Sequence, residues 1–315
     1  MKKILITGAG GFVGTHLIKE LQQNPGVEIF AAVYKSTSDI ASLVEADHIF
    51  EGDLTDYAFA QKLIQTTQPD IIYHLAALSV VHTSPTQATQ VMNANTTISY
   101  NILESVRLHA PHARFVAICS ANVYGAVSNP NKSIDESVPF RPLNPYAVSK
   151  IAQEMLALQY HLAHSLDVVI LRPFNHTGVG QTTDFVIPAF AKQFVQIEKG
   201  ATPVIEVGNL ETTRDFTDVS DMVKAYVLAS EKCVSGTAYN IGSGRGYTIR
   251  EILNIFQKIT GKTVEIKESQ SLIRKSDVPV LIADASKFAE ATGWEPKVSL
   301  ETTISDILNY WRKQT

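Results

Sequence analysis

The chain has 315 residues, of which 45% are hydrophobic and 18% charged, and its net charge is −4. That much apolar material builds one large domain or two smaller ones. The slight acidity excludes the basic footprint of a nucleic-acid binder, and no apolar run reaches the ~20 residues needed to cross a bilayer. Cys119 and Cys233 are too few for a disulfide framework, which fits a reducing compartment and makes the cytoplasm the expected location.

In chain order, the first segment, "MKKILITGAGGF", is basic and then apolar like the start of a signal peptide, but it is broken by glycine and lacks a small-residue cleavage site. "KILIT" (3–7) therefore reads as a strand. "ITGAGGFVG" follows it and opens a helical pattern, with Gly8, Gly11 and Gly14 separated by two residues in each gap. Glycines there let the backbone turn tightly, approach a diphosphate and pack helix against strand, while the helix N-terminus aims free N–H groups at the anion.

The next strand is "VEIFAAV" (27–33). A carboxylate about twenty positions past the glycines would hold the ribose hydroxyls of NAD. Here Tyr34, Lys35 and Ser36 stand at the strand end, and Asp39 comes late. The missing carboxylate favours NADP(H), with NAD(H) as the second cofactor. Lys35 itself reads equally as a partner for a 2′-phosphate or as an exposed loop lysine. In "GDLTD" (52–56), Asp53 is either an acceptor for the adenine amino group or a plain turn aspartate.

Three further strands follow, "DIIYHLA" (70–76), "RFVAIC" (114–119) and "DVVILR" (167–172), with helical patterns between them. Continuous apolar strands alternating with helices predict a parallel, doubly wound sheet covered on both faces. Cys119, inside an apolar run, reads as a small buried hydrophobe.

"NPYAVSK" (144–150) places Tyr146 and Lys150 four residues apart, one helical turn, behind a capping Asn144 and a Pro145 suited to the first position. Val148, Ile151, Met155, Leu158 and Leu162 recur at helical spacing and are expected to form the buried stripe, leaving Tyr146 and Lys150 on another face. An ordinary tyrosine, with a pKa of roughly 10, is a poor proton donor and acceptor near neutrality. A neighbouring cation is expected to lower that value, so that the phenol can protonate a carbonyl oxygen as hydride reaches the carbon. The lysine can also bond a nicotinamide ribose. Ser120, just past the strand ending at Cys119, supplies a hydroxyl for the same oxygen.

Past residue 175 the rhythm changes. "FVIPAFAKQFVQIEKG", "YTIREILNIFQKITG" and "LETTISDILNYWRKQ" read as helices, and "PVIEVG" and "TVEIKES" as strands, in a smaller mixed α/β lobe.

Together these residues resemble the extended short-chain dehydrogenase/reductases, in their nucleotide-sugar branch. "HLAA" (74–77), "NANTT" (93–97), "SANVYG" (120–125), "RPFNHTGVGQ" (172–181), "TRDFTDVSD" (213–221) and "YNIGSG" (239–244) stand where that family has its marks. The resemblance implies a Rossmann domain over 1–175 with a returning segment near 212–242, and a substrate lobe over 176–315. It implies cofactor contacts at Gly8, Gly11, Phe12, Val13, Gly14, Tyr34, Lys35, Asp53, Leu54, Leu75, Ala76, Ala77, Asn95, Tyr146 and Lys150. Catalysis would fall to Ser120, Tyr146 and Lys150. Ser79, Asn175, Arg214 and Arg274 would meet the nucleotide sugar, although Arg214 beside Asp215 also reads as a surface ion pair. His74 and His176 read as satisfied core histidines. No metal is expected, and a homodimer through helices at 96–109 and 146–164 is.

More finely, residues 185–226, with 172–181 before them, and 276–304 are similar to bacterial GDP-4-keto-6-deoxy-D-mannose reductases. These would reduce a C4 ketone to give GDP-6-deoxy-D-mannose. Related 4,6-dehydratases carry acidic residues just after the serine or threonine, where this chain has Ala121 and Asn122. Those two positions, and Val179 where a proline is common, also depart from the reductases. A UDP- or dTDP-sugar 4-reductase, a 4-epimerase and a catalytically silent dinucleotide sensor are the alternatives. The presence of Ser120, Tyr146 and Lys150 together argues against the last.

Overall fold

The computed structural model describes residues 1–35, 40–79, 85–127, 133–269 and 278–314. The first part of the chain runs β1 (Lys2–Thr7), α1 (Phe12–Leu21), β2 (Val27–Val33), β3 (Ile49–Glu51), α2 (Tyr57–Thr67), β4 (Ile71–His74), α3 (Pro85–His109), β5 (Arg114–Ile118), α4 (Pro145–His164) and β6 (Val168–Pro173). The second runs β7 (Asn175–Thr177), α5 (Val186–Glu198), β8 (Val204–Val207), β9 (Thr213–Asp218), α6 (Val219–Lys232), β10 (Thr237–Ile241), β11 (Gly246–Thr248), α7 (Ile249–Thr260), β12 (Glu265–Glu268), β13 (Val280–Leu281), α8 (Ser286–Thr292) and α9 (Leu300–Gln314).

Among the described residues the largest sheet has seven strands, in the order β10-β6-β5-β4-β1-β2-β3, every pair parallel. Its strands are nearly all apolar because both faces are covered. Residues of α1, α6 and α8 join one core cluster, and residues of α2, α3 and α4 join the other. The doubly wound α/β fold expected from the alternation is therefore present. All carboxyl ends of the strands meet at one edge, and the order reverses between β1 and β4, where such sheets bind ligands.

The smaller sheet is built on β9, which pairs β7 and β13 in parallel and β11 antiparallel. A parallel pair, β8 with β12, lies apart from it. A third core gathers residues of α5, α7 and α9. Thr213–Asp218 thus belongs to the smaller sheet, whereas α6 and β10 go back to the large one.

Two boundaries differ from the sequence reading for local reasons. Tyr247 and Thr248 are strand residues, because Thr248 and Glu251 form a capping box that starts α7 at Ile249. Helix α3 begins at Pro85, well before Thr96; its first half, "PTQATQVMNAN", is polar and shows no apolar stripe, so periodicity does not reveal it. Among the described residues no helix is long and apolar enough to cross a membrane.

Candidate active site

The glycine turn after β1 is shaped for a close-approaching anion. Gly11 precedes α1 without any side-chain cap, so the amides of the first turn keep no side-chain partner. Gly8 has φ +71°, and a Cβ there would stand 2.9 Å from the Ala76 nitrogen. A Cβ on Gly14 would stand 2.5 Å from the Ala9 carbonyl oxygen. Only glycine keeps this cradle open, and it fits a dinucleotide diphosphate.

The loop after β4 closes one side of the cradle. The Leu75 N–H donates to the Thr7 carbonyl at 3.2 Å and the Ala76 N–H to Thr7 Oγ1 at 3.3 Å. Asn95, expected to touch the cofactor, is buried and engaged by the protein: its Oδ1 accepts from the Leu78 N–H at 2.7 Å, and its Nδ2 donates to Leu78 O and Ser149 Oγ. It holds the loop that carries Leu75, Ala76, Ala77 and Ser79. Asp53 behaves as the turn aspartate, its Oδ1 accepting from the Thr55 N–H at 2.8 Å and the Thr55 hydroxyl at 2.7 Å, with Leu54 buried beside it. At the end of β2, Tyr34 and Lys35 are exposed, and the Lys35 ammonium lies 4.7 Å from the Tyr34 ring centroid. Ser36 and Asp39 lie outside the described residues.

Asn144 caps α4 as expected, its Oδ1 accepting from the Ala147 N–H at 2.8 Å with Pro145 next. This sets Tyr146 against the end of β5, where the neighbouring Ser120 hydroxyl favours its ionised form. Ser120 Oγ also accepts from the Asn122 N–H at 3.2 Å. Lys150 Nζ lies 5.9 Å from the Tyr146 ring centroid but donates elsewhere, to the Ile118 carbonyl at 2.8 Å and Gln153 Oε1 at 2.9 Å. The three catalytic candidates therefore converge on the carboxyl end of β5.

Two expectations about α4 need correction. Val148, Met155 and Leu162 are not buried; they are 40%, 42% and 73% exposed. The inward face is Ala147, Ser149, Lys150, Gln153, Glu154, Ala157 and Tyr160. Polar groups sit there because each has a partner: Lys150 as above, and Glu154 in a buried two-pronged ion pair with Arg172, Nε–Oε2 3.0 Å and NH2–Oε1 2.5 Å. The second correction concerns the phenol. Burial pushes the Tyr146 pKa up to about 12, and the neighbouring Ser120 offsets only part of that. The Lys150 ammonium, turned toward the Ile118 carbonyl, does not reverse the sign.

Burial also pulls Lys150 down to about 8 from its ordinary 10.5. Between those values the unfolded chain binds the proton more tightly, so this group makes the cofactor-free protein gain stability as pH rises through that window. In Lys150→Met that gain should be missing. Denaturant titrations of parent and variant at pH 8 and pH 10 check this; equal pH dependence would refute it.

His74 is a satisfied core histidine, with Nδ1 2.9 Å from Thr7 Oγ1 and Nε2 3.3 Å from Ser99 Oγ. Burial, and then Lys150, hold it down at about 3, so it is neutral. His176 stacks on Phe12 at 6.2 Å, and burial lowers its pKa as well.

Asn175 and Ser79 are exposed. Arg214 does not pair with Asp215. Its NH1 donates to the carbonyls of Thr213 and Val278, at 2.9 and 2.6 Å, while the buried Asp215 accepts from Ser243, Gly244 and Ala283. Arg274 lies outside the described residues. The Glu154–Arg172 pair was not singled out from the sequence. Its signal was a carboxylate one turn after Lys150, on the same helical face.

The model of the family described as GDP-mannose 4,6 dehydratase matches residues 5–307. The chain belongs to that family. A GDP-6-deoxy-D-mannose reductase from Pseudomonas aeruginosa is 28% identical, over 99% of this chain and 98% of that one. A GDP-6-deoxy-D-talose 4-dehydrogenase from Aggregatibacter actinomycetemcomitans is 32% identical, over 92% and 91%. The solved structure of RMD from Pseudomonas aeruginosa complexed with NADPH matches with a TM-score of 0.88 at 28% identity, covering 100% of both chains. The resemblance to the nucleotide-sugar short-chain dehydrogenase/reductases therefore stands.

Membership of the GDP-mannose 4,6-dehydratase family does not by itself fix the reaction, since one fold hosts several. This member has a buried Ala121 directly after Ser120, followed by Asn122. Neither side chain can take a proton from carbon.

Proposed function

We propose that this protein reduces the C4 ketone of a nucleotide-linked 4-keto-6-deoxy sugar, with GDP-4-keto-6-deoxy-D-mannose as substrate and NADPH preferred to NADH. The observation that carries the reading is the Ser120–Tyr146 hydroxyl pair beside Lys150, with the apolar Ala121 where an eliminating enzyme needs an acid. The bound dinucleotide supplies hydride. The chain does the rest. The cradle of Gly8, Gly11 and Gly14 binds the diphosphate, and Lys150 orients the nicotinamide ribose. Ser120 bonds the ketone oxygen, and Tyr146 gives that oxygen its proton. A phenol that stays protonated across the neutral range suits the reductive direction, in which it acts as the acid. Ser79, Asn175, Arg214 and Arg274 receive the sugar nucleotide.

The test is to supply GDP-, UDP- and dTDP-linked 4-keto-6-deoxy sugars with NADPH or NADH and identify the products by mass spectrometry and NMR. Conversion of the GDP-linked ketone to a 4-hydroxy product supports the reading. Turnover confined to UDP or dTDP sugars overturns the substrate, and turnover of none overturns the reaction. D-Mannose and D-talose differ at C4, so the NMR couplings at that carbon also report the face attacked.

Lys35→Asp should reverse the cofactor preference. A charge-assisted bond to a phosphate contributes roughly 1.5–3 kcal/mol, so the dissociation constant for NADPH should rise by at least about tenfold while that for NADH falls. Isothermal titration with both cofactors decides it, and unchanged NADPH affinity removes Lys35 from the site.

The exposed Val148, Met155 and Leu162 of α4, with Tyr100 and Leu108 of α3, form apolar surface that supports a homodimer through these helices. Sedimentation equilibrium of parent and Met155→Glu tests this. A monomeric parent rejects it.

A further inference from the structure

Lys150 and Gln153 lie on one face of α4, and both are buried. With the end of β5 they close a ring of hydrogen bonds. Lys150 Nζ donates to the Ile118 carbonyl at 2.8 Å and to Gln153 Oε1 at 2.9 Å, and Gln153 Nε2 donates to the same carbonyl at 3.3 Å. The ring orients its members. An ammonium only donates, so the amide must turn its oxygen to Lys150, and its nitrogen then faces Ile118. Ile118 is the last residue of β5, so the anchor is the large sheet itself.

A lysine carries its charge on a flexible stem, and the head moves unless it is held. The Ile118 carbonyl alone would hold Nζ by one bond, about which the ammonium could still turn. Gln153 removes that freedom. An ammonium has three protons, and acceptors among the described residues take two of them. The two bonds therefore decide where the third proton points. Nζ lies 5.9 Å from the Tyr146 ring centroid, at the carboxyl end of β5 beside β4, whose last residue, His74, feels its charge. That is the edge next to the reversal of strand order.

We propose that Gln153 is a positioning residue, which locks the Lys150 ammonium so that its remaining proton meets the nicotinamide ribose. This rests on the reading of Lys150 as the ribose contact, given above, and adds a residue that lies outside the YxxxK pattern.

The test is Gln153→Met, which keeps the length of the side chain and removes the acceptor. Dissociation constants are measured for NADPH and for 2′-phospho-ADP, which keeps the adenosine and the diphosphate but has no nicotinamide ribose. NADPH binding should weaken about tenfold, the order of one hydrogen bond to a charged group, and 2′-phospho-ADP binding should not change. In turnover, KM for NADPH should rise with kcat nearly unchanged, because the ribose contact is the same in ground and transition states. The same substitution is then made in Lys150→Met, where it should alter NADPH affinity by less than about twofold. If Gln153→Met does not fold, Gln153→Asn, an amide too short to reach Nζ, carries the same expectations. Unchanged NADPH affinity overturns the proposal, as does a lower kcat with KM for NADPH unchanged. Equal weakening of both ligands overturns it, since the cradle would then be distorted, and so does an equal loss with and without Lys150. If Lys150→Met binds NADPH as tightly as the parent, the ribose reading falls and this proposal with it; failure at Gln153 alone leaves that reading standing.

Discussion

Tyr146→Phe is expected to slow single-turnover reduction of the 4-keto sugar nucleotide by about 10²–10⁴, the usual contribution of a positioned general acid. The ring stays in place and only the hydroxyl leaves, so the helix cap at Asn144 and the packing at the end of β5 are untouched. The variant should still fold and bind NADPH, because the proposed ribose contact of Lys150 is kept. Single-turnover measurement matters, since slow product release would mask the chemical step in kcat. A variant that reduces the substrate at close to the parent rate would show that Tyr146 is not the acid.

The second large effect is on stability. Glu154→Ala removes one half of a buried ion pair and leaves the Arg172 guanidinium without its carboxylate. Breaking such a pair from one side is expected to cost about 3–5 kcal/mol, a large share of a typical stability of roughly 5–15 kcal/mol. More than two residues are affected. Arg172 NH1 also donates to Tyr124 Oη at 2.8 Å and to the Glu136 carbonyl at 3.2 Å, and Tyr124 in turn donates to Asn240 at 2.7 Å. The pair therefore joins α4, β6, β10 and the segment after Ser120. Replacing both partners, as in Glu154→Met with Arg172→Met, should recover much of the loss, because the desolvation of two charges goes with them. Denaturant unfolding of the three proteins checks this. A Glu154→Ala loss below about 1 kcal/mol would show the pair to be hydrated rather than buried.

Much of the site was legible because its logic is local. The Gly8–Gly11–Gly14 turn needs only backbone freedom next to a helix start, and "NPYAVSK" carries its own cap, first-position proline and one-turn spacing. The burial of α4 was not legible. The apolar recurrence at Val148, Met155 and Leu162 was real, but periodicity gives a face without saying what covers it. The side chains that turn inward, Lys150 and Glu154, do so because of Ile118 and Arg172, which are distant in sequence. The sign of the Tyr146 shift failed for the same reason: a cation one turn away is a sequence feature, but desolvation is a property of the assembled interior. Strands β7, β9, β11 and β13 escaped because they are short, from two to six residues, and have no alternation of their own.

The return of α6 and β10 to the large sheet bears on how this protein can be recombined. Residues after Pro173 leave for the smaller sheet, but 219–241 come back, and the chain then departs again. The later segment is also stitched to α6: the Trp294 indole donates to the Asp221 carbonyl, and the Asp221 carboxylate accepts from the Lys297 and Val298 amides. A single-crossover chimera with a relative, joined near residue 175, would therefore import a foreign edge strand into the large sheet along with the smaller lobe. Exchanging the smaller lobe would take at least three matched junctions, one between β6 and β7 and a pair flanking α6 and β10, so that lobe is better diversified by point substitution than by exchange of whole blocks.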